Sequence, residues 1–454
     1  MRRVAIVAPS AALRETLLLV ADAGCVEVER IEEAPPGPAG RRLQRLSAAP
    51  GTPTLLAGPE PDLDALEREG RLGLLAGEAQ IEQHAAAAVH RGEVAALAGW
   101  CPARAVPALA GRLAAVGGAL VPVRAPRGVD PPTLLATGPV RQAFTPLVTT
   151  YGTVPYRDLD PTWSAGIAYV VMFGLMFGDV GHGVLLLLAA SLLGSGRPRR
   201  AARLLPLWPF VAGAGLASVL AGLAYGEFFG PTGVLPVLWM DPLDRPERLL
   251  VAAVGLGGVL LTLAFVGGAV NRWREGGPAR ALYAVSGVAG LALFLGLAAL
   301  GGGWYLRLPA LLGVGAVLTV AGLGAAGVGL FTGSAGGAGG AAQTAVQLFD
   351  AVLRIFANTV SFARLAAFGL THAALGQVVW RGTAGLAERG PWGVLGAVVL
   401  FTVGNAVTFA LEALVAGVQA LRLEFYELFS RVFEGLGRPF RPWHLPVRRA
   451  EESR

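Results

Sequence analysis

Beyond Thr162 the sequence is a succession of apolar runs, each about as long as a bilayer is thick. A helix needs about 20 such residues to cross the hydrocarbon. Leu204–Phe229, Leu249–Val270, Ala281–Leu300 and Leu308–Phe331 each supply one crossing. Lipid offers no water to satisfy backbone polar groups, so runs of this kind are confined to helices. Thr344–Trp380 and Trp392–Phe433 exceed one perpendicular crossing and must tilt strongly or extend past the lipid. Composition agrees: 54% of the 454 residues are hydrophobic and 64 are glycine.

Thr162–Leu193 is the ambiguous run, with GDVGHG at its centre. Arginine placement decides it. All 37 basic residues are arginine, and they concentrate at Arg197–Arg203, at Arg272–Arg280 and from Arg431 onward. The spans above put these three segments on one side, which the positive-inside rule makes cytoplasmic. Residues 1–30 carry no secretory signal, so the N-terminus is expected there too. That requires the chain to turn back at Gly178–Gly183, giving eight spans with both termini cytoplasmic in the cell membrane. Asp179 and His182 then sit at the turn, capping it and facing a polar pocket.

The first 124 residues read as an α/β domain. Arg3–Val7, Cys25–Ile31, Val94–Trp100 and Ala119–Val123 have strand character, and Ala11–Ala23 and Ala103–Val116 have helix character. Two βαβ units in this order match a ferredoxin-like split fold. Between them, an insertion at about 32–92 holds a Pro/Gly/Arg-rich loop, Glu32–Gly58, and two short helices at Pro61–Glu69 and Glu78–Gly92. His84 and His90 are expected as exposed helix residues, with no ligand set around them for a metal. Cys25 and Cys101 read as free core thiols. No glycine spacing suits a phosphate loop, and scattered arginines without aromatic platforms exclude a nucleic-acid surface. Residues 125–161 read as a Pro-anchored linker, 162–437 as the membrane domain and 438–454 as a cytoplasmic tail.

Within the membrane part, Arg364 stands in the middle of DAVLRIFANTVSFARLAAFGLTHAAL (350–375). A charge at membrane depth costs about 2.5–3.5 kcal/mol even on a lenient scale, and guanidinium cannot shed its proton. Asp350, the nearest carboxylate on that helix, is about 21 Å away at 1.5 Å rise. The partner of Arg364 is therefore on another helix or another chain. Asp350 and Arg354 stand at i, i+4 and can pair. In the last span Glu412 and Arg422 are about 15 Å apart. Two arginines and two carboxylates on adjacent spans indicate an ion path; snorkelling to the interface suits only the residues near helix ends.

The motifs MFGLMFGDVGHGVLLLLAA (172–190), LAYGEFFG (223–230), NTVSFARLAAFGLTHAAL (358–375) and LEALVAGVQALRLEFYELFSRVFEGLGRPFRPW (411–443) resemble the membrane domain of subunit I, or subunit a, of V-type and A/V-type rotary ATPases. The likeness runs from about Trp100 to Trp443. It implies a polytopic α-helical membrane domain of eight helices, the last two long and tilted, plus a cytoplasmic α/β domain. It implies a non-catalytic stator subunit that couples H⁺ or Na⁺ movement to rotation and to ATP hydrolysis or synthesis. By resemblance, Arg364 is the stator arginine facing the rotor carboxylate and Arg422 the second arginine. Asp350 and Glu412 take half-channel carboxylate positions, His372 is a polar channel position, and Asn358 and Ser361 line water. The implied partners are the rotor proteolipid ring of c/K subunits, peripheral-stalk subunits of E/G type, the catalytic ATPase sector through them, and the bilayer. No cofactor or metal is implied. Glu32–Gly92 is too short for the helical hairpin and second lobe usual in the family. Two other classes compete: a stand-alone secondary transporter, for which no inverted repeat is visible, and a structural anchor.

Overall fold

The computed structural model describes residues 1–29, 35–46, 52–135, 138–196, 204–432 and 437–448. The chain divides into two compact units, one of Met1–Leu134 with Gly437–Arg454 and one of Leu135–Leu436.

In the first unit, alternation creates the opening strand. Along β1 (Arg2–Pro9) Val4, Ile6 and Ala8 are buried and the residues between them are not. In α1 (Leu13–Ala23) Leu13, Leu17, Val20 and Ala21 join the same core. The helix stops at Gly24, whose φ of +55° suits glycine. There follow β2 (Glu27–Val28), α2 (Pro38–Leu46), β3 (Leu55–Leu56), α3 (Leu63–Arg68), α4 (Leu72–Ala86), β4 (Val89–Arg91), β5 (Val94–Cys101), α5 (Val106–Ala114) and β6 (Ala119–Pro122). The sheet has the order β2-β5-β1-β6, with β4 also on β5 and every pair antiparallel. Leu109 and Leu113 of α5 complete the core with α1. At the other end of the sequence, β7 (Val447–Arg448) pairs in parallel with β3. Nearby, Trp443 donates its backbone N–H to Val26 and its indole N–H to Gln80.

Several expectations change here. Strand pairing among the described residues is limited to Glu27–Val28 rather than Cys25–Ile31. The expected loop 32–58 contains α2, because the Glu82 carboxylate accepts the Ala39 backbone N–H at its start. Residues 30–34 and 47–51 of that loop lie outside the described ones. The helix expected from Glu78 begins at Leu72 and ends at Ala86. His84 packs edge-on against Trp443 at 4.2 Å between ring centroids rather than standing free. His90 is on a strand. Residues 438–448, read as a tail, are part of this unit, as is Gly437, read as the last residue of the membrane domain.

Cys25 and Cys101 are both free thiols. The β2–β5 pairing brings them together, with Cys101 buried and Cys25 partly exposed. A hydrogen bond from the Cys101 thiol, helped by the charge of Arg112, lowers Cys25 to about 7 against the opposing effect of burial. Thiolate is the reactive form. Iodoacetamide labelling of Cys25 is therefore expected to rise with a midpoint near pH 7, and Cys101→Ala to move that midpoint upward. A midpoint unchanged in the variant would show that the thiol pair is not the cause.

In the second unit α6 (Pro139–Tyr151) occupies part of what read as linker. Then come α7 (Thr162–Met176), α8 (Val180–Gly194), α9 (Trp208–Tyr225), α10 (Pro246–Tyr283), α11 (Val288–Leu306), α12 (Pro309–Thr332), α13 (Gly337–Ser361), α14 (Ala363–Ala387) and α15 (Pro391–Leu423), which runs into a π-helical turn at Glu424–Phe429. Among the described residues six helical segments are long and apolar enough to span a membrane: Leu204–Tyr225, α10, α11, α12, Gly337–Ala387 and Pro391–Val432. Most of their surface is not covered by the protein itself, as lipid-facing helices require. This is a multi-pass helical membrane unit.

The helices α7 and α8 have 15 residues each, about 22 Å of helix. Val170, Gly174 and Gly178 lie against Gly213, Ala217 and Ala221, so α7 runs parallel to α9. Gly183 and Gly194 lie against Val219 and Trp208, so α8 runs antiparallel to it. The chain therefore reverses at Phe177–Asp179. Small residues let these backbones approach, as is usual in membranes. The span expected at Ala281–Leu300 starts later, at Val288, because α10 continues past a kink at Gly276–Gly277. The long span at 344–380 is interrupted: α13 gives way to α14 at Phe362, where N–H groups bond back three residues instead of four (Phe362 to Thr359, 3.2 Å; Leu365 to Phe362, 3.0 Å). Phe362 is fully buried. It fits where Gly257 of α10 has no side chain, since a Cβ there would stand 2.2 Å from the ring. Gly257→Val is expected to displace the ring and destabilise the unit by about 1–3 kcal/mol, read as a lower melting temperature, with partial recovery when Phe362→Ala is added.

Candidate functional site

The reversal after α7 builds the first part of the site. Asp179 is the N-cap of α8: its Oδ1 accepts the His182 backbone N–H at 2.9 Å. Its Oδ2 accepts the Gly230 N–H from the loop after α9 at 2.7 Å. Ser218 of α9 donates its hydroxyl to the Phe177 and Asp179 carbonyls. Asp179 is fully buried and His182 is 2% exposed. The loop also carries Phe229, which holds a positive φ of 51°. That conformation is uncommon for a bulky residue and marks a backbone held by its surroundings.

Three more elements converge on this point. From α14, His372 meets the Glu412 carboxylate of α15 through Nδ1. Its Nε2 stands 3.9 Å from Glu227 Oε2, on the loop after α9. His182 and His372 have ring centroids 5.6 Å apart, and Phe177, Phe229 and Phe409 wall off His182. Asp179, His182, Glu227 and His372 are all buried, and Glu412 nearly so. Asn405 of α15 hydrogen-bonds to the His182 ring, which leaves one ring nitrogen of His182, and Oε1 of Glu412, without a partner among the described residues. One ligand atom each from Asp179, His182 and His372 lies within 4.8 Å of the others.

Arg364 belongs to a second polar locus, about 12 Å along α14 from His372. It stands two residues after the break at Phe362, and its Nη1 is buried without a hydrogen-bond partner among the described residues. The charges acting on it are Arg422 of α15 and Glu427 of the π-helical turn. Ser361 hydrogen-bonds to Glu427. Arg422 is exposed and Asn358 is half-buried. One turn before Glu427, Glu424 is buried with Oε2 unpartnered among the described residues. It lines a cavity of about 260 Å³ with Asp160, Ser164, Leu260 and Phe429. Asp350 is not gathered into either locus. It is exposed and pairs with Arg354 at i, i+4, with Arg354 Nε donating to Oδ2 at 2.8 Å.

The structure thus joins Asp179, His182, His372 and Glu412 in one cluster and leaves Arg364 and Arg422 at another. Sequence reasoning missed Glu227, Glu424 and Glu427. The signal was present: EFF closes the expected span Leu204–Phe229, and LEFYELF places two carboxylates one turn apart in an apolar helix.

The V-type ATPase 116kDa subunit family matches residues 86–204 and 343–445, the blocks that carry every one of these residues except Glu227. The chain is 30% identical over 426 residues to A-type ATP synthase subunit I of Archaeoglobus fulgidus, covering 78% of this chain and 59% of that protein. With the A-type ATP synthase subunit I of Halobacterium salinarum the identity is 28%, over 67% of this chain and 50% of the relative. The human V-type proton ATPase 116 kDa subunit a 3 is 34% identical over 154 residues, 31% of this chain and 19% of the relative. The chain spans about half the length of the first archaeal relatives it matches. With membrane helices carrying buried charge in both matched blocks, and similarity to archaeal subunit I across most of its length, this chain belongs to the V-type ATPase 116 kDa subunit family.

Proposed function

We propose that this chain is the membrane stator subunit of a rotary V/A-type ATPase or ATP synthase. It supplies the arginine that acts on the rotor-ring carboxylate and the two half-channels that feed it. The observation that carries the reading is Arg364: a permanent charge in a membrane-spanning helix, at a break in that helix, with a free guanidinium nitrogen and a separate buried carboxylate–histidine cluster further along. A rotor carboxylate crosses lipid only when neutral. Opposite Arg364 the positive charge favours its ionised form, and the proton or Na⁺ leaves into one half-channel. The cluster of His372, Glu412, Glu227, Asp179 and His182 provides the polar track of one half-channel. Glu427, Ser361 and Asn358 are the polar groups near Arg364 for the other, with Asp350 at its outer end. Arg422 supports the field of Arg364. The fixed cation also repels ions that would leak between the two paths. The chain itself does not hydrolyse ATP.

We read the sheet order β2-β5-β1-β6, with α1 and α5 in one core, as a ferredoxin-like cytoplasmic domain over residues 1–124. Residues 125–161 lead to the membrane domain, which starts at 162 and ends before Gly437. Membership of 437–448 in the first unit supports an even number of crossings, eight with the α7–α8 pair, and both termini in the cytoplasm of a cell-membrane protein. The partners in this reading are the c/K proteolipid ring, E/G-type stalk subunits and, through them, the catalytic sector. The test is to tag the chain in its own host and identify what co-purifies from gently extracted membranes. A small proteolipid together with catalytic and stalk subunits supports the reading; a chain that purifies alone overturns it.

A further inference from the structure

We propose that Asp179, His182 and His372, with Glu227, form a binding site for one divalent transition-metal ion such as Zn²⁺. Each donor is set up as metal ligands are. His372 commits Nδ1 to the Glu412 carboxylate, which leaves Nε2 free and fixes the ring; metal-bound histidines typically hold their second nitrogen in this way. Two backbone N–H groups orient the Asp179 carboxylate. His182 is 2% exposed, and Asn405 is the side chain that hydrogen-bonds to it, which leaves one ring nitrogen without a partner among the described residues. A buried polar group without a partner is costly, and an ion bound to one nitrogen removes that cost.

The spacings fit an ion better than direct hydrogen bonds. His182 Nδ1 stands 3.9 Å from Asp179 Oδ1, and His372 Nε2 stands 3.9 Å from Glu227 Oε2. Both exceed hydrogen-bond range. Two donors on one tetrahedral Zn²⁺ stand about 3.4 Å apart, from bonds of about 2.0–2.1 Å. The ligand atoms of Asp179, His182 and His372 lie within 4.8 Å of one another, so side-chain movements on the order of 1 Å bring them onto one ion. Charge favours a cation as well. Asp179, Glu227 and Glu412 are three carboxylates, and the charged groups acting on His182, Glu227 and His372 are acidic or the histidines themselves, with no arginine among them. Imidazole nitrogen with carboxylate oxygen suits Zn²⁺ and its first-row neighbours rather than Mg²⁺ or Ca²⁺.

An ion held there ties the start of α8, the loop after α9 and α14 together, and it occupies the polar track proposed above. Block of ion transport by Zn²⁺ rests on that functional reading; binding of the metal does not. The test uses the chain purified from membranes with whatever partners it carries, stripped with a chelator and equilibrated with Zn²⁺ alone. Expected is about one tightly held Zn²⁺ per copy, lost in His182→Ala and in His372→Ala. Glu412→Gln retains the site with affinity weaker by about 10–100-fold, the usual effect of removing the group behind a ligand histidine. Where an alanine variant does not assemble, His182→Gln, which removes the imidazole donor and keeps a polar side chain, replaces it. No Zn²⁺ retained by the parent, or equal Zn²⁺ in parent and histidine variants, overturns the proposal. Zn²⁺ stoichiometry is read without any transport assay, so failure of the rotary reading leaves it unaffected.

Discussion

Replacing Arg364 by alanine is expected to abolish coupled ion transport while the chain still assembles with its partners. At about 4 Å and an effective dielectric constant near 20, a guanidinium stabilises a facing carboxylate by about 4 kcal/mol. That equals about three pKa units, or a thousandfold in proton release. ATP-driven ion uptake into membrane vesicles should therefore drop to background. Arg364→Lys should fall between the two, because a buried ammonium can deprotonate where guanidinium cannot. Uptake that survives Arg364→Ala would support a structural anchor instead. A parent chain that transports ions without a rotor ring would support a secondary transporter.

Arg14→Ala is expected to destabilise the first unit by about 3–5 kcal/mol, the cost of stranding a buried charge. Arg14 of α1 grips the Glu78 carboxylate of α4 with two parallel hydrogen bonds, the longer at 2.8 Å. The Glu78 side chain is 5% exposed and Arg14 stays partly open to solvent. At about 2–4 °C per kcal/mol for a unit of this size, the melting transition should move down by about 10 °C. Replacing both residues with methionine should recover most of that loss, since an apolar pair of similar volume leaves no charge behind. A single variant that melts with the parent would mean that water reaches Glu78 when Arg14 is gone.

The elements that were legible in the sequence share a physical cause: a local pattern that only one structure satisfies. Alternation in RRVAIVAP marks β1, and continuous apolar runs mark α9, α10 and α12, because a strand has one buried face and a lipid-exposed helix has none that must be polar. Arg197–Arg203, Arg272–Arg280 and the arginines after Arg431 called for a reversal at GDVGHG, and the chain reverses at Phe177–Asp179. What was misread depended on partners far along the chain. Helix α2 looks like a loop until Glu82, about forty residues on, meets its N-terminus. His84 looks exposed until Trp443 packs on it. The break at Phe362 carries no proline or glycine signal, and its slot comes from Gly257 on another helix.

The functional residues divide in the same way. Arg364 was identifiable from sequence alone because its charge is permanent and its neighbours are apolar for several turns, so its place in the span states the cost by itself. Asp350 and Arg354 likewise pair at one-turn spacing, which a helix fixes locally. The sequence therefore determined that the chain is a multi-pass membrane protein and that Arg364 lies within one of its spans. Only the tertiary structure decided which of its charges meet. Asp179, Glu227, His372 and Glu412 come from four separate segments, and no periodicity links them. Helix packing brings them into one buried cluster, and by the same packing sets Arg364 apart from it, beside Glu427, which no spacing along α14 could have indicated.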